Sequence, residues 1–148
     1  MERSSRQTRQ QHAVLDAIAH SGRCLNAAEV WELAREAVPT LNLSTVYRQL
    51  KVLHEQSQVT RVELPGEAPR FEAPCAAREA HHHDHHHHHF HCTACERVYP
   101  LHACPGSLDS LLPGGFTLQR HDLTLHGLCA DCSPAAAKRV AGTRSHGR

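Results

Sequence analysis

Two Cys-x-x-Cys pairs, Cys92/Cys95 and Cys129/Cys132, constrain this chain more than any other feature. Each pair makes a tight turn that presents two sulfurs to one point, and four thiolates together close a tetrahedral structural zinc site. The second pair begins 34 positions after Cys95, so the segment between must return to where it started. A redox Cys-x-x-Cys or two disulfides would use the same residues. Neither suits a chain whose opening stretch, MERSSRQTRQQH, is polar and lacks the apolar core of a secretion signal. No apolar run is long enough to span a bilayer, so no membrane association is expected. Seven cysteines in such a chain read as metal ligands in a reducing cytoplasm.

A staple of this kind answers a problem of size. The chain has 148 residues and only 4% aromatics. Split into two domains of roughly 70 residues, each half would have a thin core and would need a metal or a partner for stability. Net charge is +1 with histidine neutral, so any nucleic-acid binding must rest on a local patch.

The N-terminal half supplies such a patch. Residues 2–12 carry Arg3, Arg6 and Arg9 and read as a basic arm that either touches phosphates or is simply solvated. A helical pattern begins at Thr8, with Val14, Leu15 and Ile18 on its apolar face, and stops at Ser21-Gly22. Asn26 with Glu29 has capping-box spacing, and Val30, Leu33, Ala34 and Ala37 give the next helix its buried face, ended by Pro39. Ser44 reads as the N-cap of a third helix with Val46, Leu50 and Leu53 inward. That leaves Thr45, Tyr47, Arg48, Gln49 and Lys51 on the other faces. Residues 59–64 and 70–72 alternate as two strands around Pro65-Gly66-Glu67. Three short helices followed by a hairpin is the winged helix-turn-helix pattern, whose third helix enters the major groove of double-stranded DNA. Arg48 and Lys51 suit phosphate or guanine, Gln49 a base edge, and Tyr47 a phosphate or a thymine methyl. A helical bundle with an ordinary polar face is the plainer alternative.

The boundary between the halves is rich in histidine. Nine of the 16 histidines fall in residues 81–91. A low-complexity tract, a loose metal-buffering segment and an expression tag are competing explanations, although the run is internal, is interrupted by Asp84 and leads directly into Cys92. We divide the chain into residues 1–72, a hinge at 73–85, a metal-binding region at 86–134 and a disordered tail at 135–148. On a strand preceding Cys92, His87 and His89 would face one side and His86 and His88 the other, which allows two metal sites. His81, His82, His83 and His85 fall in the hinge. Beyond Cys95, strands are expected near residues 98–99, 116–118 and 123–125, with a short helix at 105–112. No catalytic constellation emerges: there is no Ser-His-Asp context, no Gly-rich phosphate loop and no His-Glu-x-x-His. Glu72, Asp109 or Glu96 could serve as the base of a metallohydrolase, but nothing in their spacing selects them.

The order of these features resembles the ferric uptake regulator family of metal-dependent repressors. The resemblance is carried by Leu43-Ser44-Thr45-Val46-Tyr47-Arg48, Arg70-Phe71-Glu72, the histidines at 86–89, Cys92/Cys95, the stretch His121-Asp122-Leu123-Thr124-Leu125-His126-Gly127, and Cys129/Cys132. It implies an α+β architecture: an N-terminal winged helix and a small C-terminal α/β domain that dimerises around the four-cysteine zinc. It also implies a homodimer, an operator on double-stranded DNA and a second divalent ion that sets the spacing of the DNA-binding heads. That regulatory site would use Glu72, His87 and His89. Where relatives often add a histidine before the second helix this chain has Cys24, and where they add an acid after the first Cys pair it has His102 or Cys104. Cys75, in the hinge, competes with Cys24. An accessory site would use His86, His88, Asp109 and His121. Thiol and imidazole in place of oxygen donors favour zinc over iron(II) or manganese, so the zinc-uptake branch of the family is the expected one. Iron, manganese or peroxide sensing within the family, and a His-rich zinc or nickel storage or chaperone protein outside it, are the rivals.

Overall fold

The computed structural model describes residues 2–74 and 88–134. His86, His87, Cys75, the histidines at 81–85, most of the expected hinge and the tail from 135 onward lie outside the described residues. The chain separates into two compact units, Met1–His83 and Asp84–Arg148.

The first unit opens with α1 (Glu2–Ser21). Its first turns begin well before Thr8, where the apolar pattern starts. Residues 2–12 are mostly arginine, glutamine and glutamate, good helix formers without an apolar stripe to betray the helix. Gly22, at φ +62, ends it in the left-handed region that glycine tolerates best. A two-residue strand, β1 (Leu25–Asn26), leads into α2 (Ala27–Ala37). The capping box is present as expected: the Asn26 side chain accepts from the Glu29 amide, and the Glu29 carboxylate accepts from the Asn26 amide. Ala37, expected inward, is exposed.

The third helix, α3 (Leu43–Glu55), is capped by Asn42 and not by Ser44. Asn42 has extended backbone and its Oδ1 accepts from the Thr45 amide at 2.8 Å, while the Ser44 hydroxyl donates to that same Oδ1. β2 (Thr60–Val62) and β3 (Arg70–Glu72) form the hairpin, and β1 pairs on the far side of β3. β3 is therefore the middle strand, and Arg70, Phe71 and Glu72 are all buried. The core under this sheet is apolar and continuous: Val14, Ile18, Leu25, Val30, Val46, Leu50 and Leu53 are essentially inaccessible. Trp31 is half buried, donates its indole N–H to the Leu41 carbonyl at 2.9 Å and carries the Arg35 guanidinium 4.7 Å above its ring.

The second unit is a three-stranded sheet of β4 (His88–Cys92), β5 (Val98–Leu101) and β6 (Thr124–Gly127), in the order β5-β4-β6. β4 runs antiparallel to β5 and parallel to β6, with Cys92 opposite Gly127. A Cβ on Gly127 would lie 3.2 Å from the Phe90 ring, so this position favours a residue without a side chain. The helix expected at residues 105–112 reduces to one 3-10 turn, Asp109–Leu111, because Gly106 at φ +88 breaks any helical start after Pro105. Residues 116–118 are not a strand. They follow the turn at Gly114-Gly115, and Phe116 points to solvent.

Candidate functional site

The clearest donor set is the one the spacing announced. The sulfurs of Cys92, Cys95, Cys129 and Cys132 lie within 4.8 Å of one another. The sheet brings them together. Cys92 ends the middle strand beside Gly127, and the first knuckle is fixed by Glu96 and Thr93 amides donating to the Cys92 and Gly127 carbonyls. The second is closed by the Cys132 amide donating to the Cys129 carbonyl. Arg97 and Asp131 link the two turns at 3.3 Å.

The thiols are electrostatically unequal. The Cys129 amide donates to Cys92 Sγ at 3.3 Å, and this hydrogen bond with others from the Cys95 and Ala94 backbone lowers Cys92 to about 6. The Cys132 backbone lowers Cys129 in the same way. Contacts with Cys129 and Cys95 push Cys132 up to about 12. Two of the four thiols are thus shifted toward the thiolate and two away from it, and a soft divalent ion would displace their protons. The Cys95 and Cys129 sulfurs are 3.8 Å apart, close to the roughly 3.8 Å edge of a tetrahedron built on Zn–S bonds of about 2.3 Å. The residues fit a structural zinc ion.

A second donor group in the same unit joins His88, Cys104 and His121. The His88 and His121 rings stack with centroids 5.1 Å apart, and Cys104 Sγ lies 3.3 Å from His121 Nε2. The Leu123 amide donates to His88 Nδ1 at 3.2 Å, and the Gly106 amide donates to the Cys104 sulfur. His88 and His121 were both expected at an accessory site. Asp109, expected with them, is exposed and accepts a short hydrogen bond from the Ser107 hydroxyl, and it belongs to no donor group among the described residues. Cys104 stands with the two histidines instead. Cys104 was expected, as an alternative to His102, at the regulatory site. His102 is exposed just beyond β5 and joins no such group.

In the first unit, Cys24 and Glu72 meet. The buried Cys24 thiol donates to Glu72 Oε2 at 2.8 Å, although the two residues are 48 positions apart. Burial, then the Glu72 charge and the hydrogen bond to it, push the Cys24 thiol well above its usual range, so the pair holds a proton. Arg70 anchors the Cys24 backbone. Its Nη1 donates to the Cys24 carbonyl at 3.2 Å and to Glu29 Oε2 at 2.8 Å, while its Nε donates to Glu67 at 3.0 Å. The capping-box glutamate thus also neutralises a buried arginine, a pairing across 41 positions that no local pattern announces. His89, on β4 of the second unit, is buried, and by strand alternation it faces away from His88.

On α3 the expected outward set divides. Tyr47 is 59% exposed, and Arg48 and Lys51 are exposed with it. Thr45 and Gln49, at 4% and 6%, are buried. Thr45 sits under the cap and accepts from Arg48 Nη2, and Gln49 follows core residue Val46 by three positions, so it flanks the buried stripe.

A winged helix joined in one chain to a tetrathiolate sheet defines a metal-binding DNA regulator. The ferric uptake regulator family model matches residues 2–126, and the chain belongs to that family, whose members are metal-responsive DNA-binding transcriptional regulators. The ferric uptake regulation protein of Campylobacter jejuni is 26% identical over 136 residues, covering 88% of this chain and 82% of the relative. Among solved structures, a zinc-bound manganese uptake regulator superposes with TM-score 0.64 at 20% identity, covering 81% of this chain and 87% of its own. A zinc uptake regulator complexed with zinc and DNA superposes with TM-score 0.54 at 28% identity, covering 86% and 83%. No described helix is long and apolar enough to cross a membrane.

Proposed function

We propose that this protein is a zinc-responsive repressor of metal-uptake genes, acting as a homodimer on double-stranded operator DNA. The observation that carries the reading is the buried Cys24–Glu72 pair, a thiol and a carboxylate held together at 2.8 Å. A thiol donor selects zinc over iron(II) or manganese, which suit oxygen-rich sites. The thiol in the His88–Cys104–His121 group argues the same way. The similarity to a zinc uptake regulator complexed with zinc and DNA supports it further.

In this reading Cys92, Cys95, Cys129 and Cys132 hold the structural ion. Cys24 and Glu72 from the first unit, with His87 and His89 from the second, form the regulatory site, and His102 is left as a reserve ligand. His88 and His121, with Cys104 and His86, form the accessory site. Ligands drawn from both units make the relation between the units depend on the ion. Moving such an equilibrium from mostly open to mostly closed takes about 5.5 kcal/mol of differential binding. Tyr47, Arg48 and Lys51 then engage the operator, with Thr45 and Gln49 supporting them from beneath. Leu111, Phe116, Leu125 and Leu128, exposed on the second unit, give a homodimer apolar surface to cover.

The test is operator binding titrated with zinc, iron(II) and manganese, for wild type, Cys24→Ser, Glu72→Ala and His89→Ala. Zinc should activate the wild type at the lowest free concentration. Cys24→Ser should narrow or reverse the preference, and Glu72→Ala and His89→Ala should need far more of any ion. Equal operator affinity with and without metal would sink the proposal, and so would activation of the wild type by iron or manganese below the zinc threshold.

A further inference from the structure

Two histidines of the C-terminal sheet belong neither to the tetrathiolate nor to the His88–Cys104–His121 group. His91 lies on the middle strand β4 and His126 on β6, and the parallel register sets them opposite one another. The next pair in the same register is Cys92 with Gly127. Side chains alternate along a strand, so His91 points to the face opposite Cys92 and His88. It shares that face with His89, two positions back.

The ring centroids of His91 and His126 are 5.4 Å apart, with the planes inclined by 50°. Chelation requires about this spacing. Two imidazoles bound to one tetrahedral ion through nitrogens at about 2.0–2.1 Å hold their centroids roughly 5 Å apart, and rotation about each metal–nitrogen bond leaves the tilt open. The His88 and His121 rings, which do belong to a three-residue donor group, have nearly the same separation, 5.1 Å. His126 is exposed and His91 half buried, so an ion between them would meet solvent. No cysteine or carboxylate completes a three-donor group with this pair among the described residues. Water would fill the remaining positions.

We infer that His91 and His126 form a further binding site for zinc, open to solvent and exchangeable, on the sheet face opposite the tetrathiolate. Imidazole is a ligand that zinc prefers, and neutral rings on neighbouring strands present it without ordering a loop. Two neutral donors leave the charge of the ion uncompensated, whereas four thiolates more than offset it. The pair therefore fills only at free zinc well above the level that fills the tetrathiolate. The site does not depend on which ion the protein senses, because neither histidine enters the proposed regulatory set.

The experiment takes the full chain with its tetrathiolate filled and dialyses it against rising free zinc, for wild type, His126→Ala and His89→Ala. Wild type should take up about one ion per chain more than His126→Ala, at the high end of the series. Whatever zinc the histidines at 81–87 take up is common to both proteins and cancels in the difference. Imidazole nitrogen-15 spectra assign the ion to its ligands. The His91 and His126 ring nitrogens should shift together at one free zinc concentration, and the His91 response should vanish in His126→Ala. His126 is exposed, so His126→Ala should keep the fold, which a thermal melt of the loaded protein checks. Equal uptake by wild type and His126→Ala overturns the inference and leaves the two rings as packing neighbours only. A His91 shift that persists in His126→Ala overturns it as well. In His89→Ala the paired shift should remain, and its loss there would assign the ion to the His89 site and overturn the separate site. If operator binding proves independent of metal, the repressor reading fails, while the paired shift still decides this inference.

Discussion

The two units reach stability by different routes. In the first, fourteen buried apolar residues from three helices and a small sheet form one cluster. In the second, the buried apolar residues among those described are Val98 and two metal-ligand candidates, Cys92 and Cys129. Four of the six exposed large apolar side chains among the described residues, Leu111, Phe116, Leu125 and Leu128, also belong to it. One unit folds around hydrocarbon and the other around donor atoms. An ion held by the four cysteines of the second unit would therefore be structural before it is a signal.

The largest expected effect follows directly. Stripping the tetrathiolate ion, or substituting Cys129→Ala, should unfold the second unit and leave α1 to α3 intact. Structural zinc in small domains contributes apparent binding energies of about 10–16 kcal/mol, far above what Val98 and its few neighbours can supply. Amide hydrogen exchange checks this unit by unit. Residues 88–134 should lose protection on chelation while Val46, Leu50 and Leu53 keep theirs. Protection retained in the second unit without metal would erase the contrast.

The converse change attacks the first unit. Leu53→Ala removes a side chain with no accessible surface from the apolar cluster and should cost about 2–5 kcal/mol. Zinc content of the purified protein should be unchanged. A thermal melt paired with metal analysis reads both. If Leu53→Ala also releases the structural ion, the units are not independent in the way their cores suggest.

The same contrast explains what the sequence disclosed. The tetrathiolate set was legible because each Cys-x-x-Cys is a local turn and the pattern needs no knowledge of the sheet between. The capping box at Asn26 was legible for the same reason. Cys24 and Glu72 were not, since 48 residues separate them and their meeting depends on β1 and β3 pairing in one register, Leu25 opposite Phe71. Glu72 entered as a metal ligand only through family resemblance, and Cys24 only as one of two cysteines. Cys104 entered through family resemblance as an alternative to His102 at the regulatory site, whereas it stands with His88 and His121. Ser44 was named as the cap of α3 and Asn42, two positions earlier, holds that place, because both residue types cap well and only backbone geometry decides between them. Thr45 and Gln49 were placed outward because Val46, Leu50 and Leu53 mark the centre of the buried stripe but not its width. How far α1 extends over α3 is a tertiary fact that the polar residues 2–12 do not encode.

The smallest effect gives the finest test. Asn26→Ala removes the Oδ1 that caps α2 and should destabilise the first unit by about 1 kcal/mol. The Glu29 carboxylate would remain anchored by Arg70 at 2.8 Å and by Arg23 at 3.7 Å, so the network behind Cys24 and Glu72 should survive. Glu29→Ala instead takes from Arg70, whose side chain is 7% exposed, one of the two carboxylates it pairs with, leaving Glu67 and the Cys24 carbonyl. Losing one partner of a buried charge costs more than losing a cap. Glu29→Ala should therefore exceed Asn26→Ala in a denaturant melt and also weaken regulatory metal binding, which Asn26→Ala should leave nearly unchanged. Equal costs for the two variants would mean that Arg70 is held by the strand register alone and that the capping-box carboxylate plays no part in positioning the thiol.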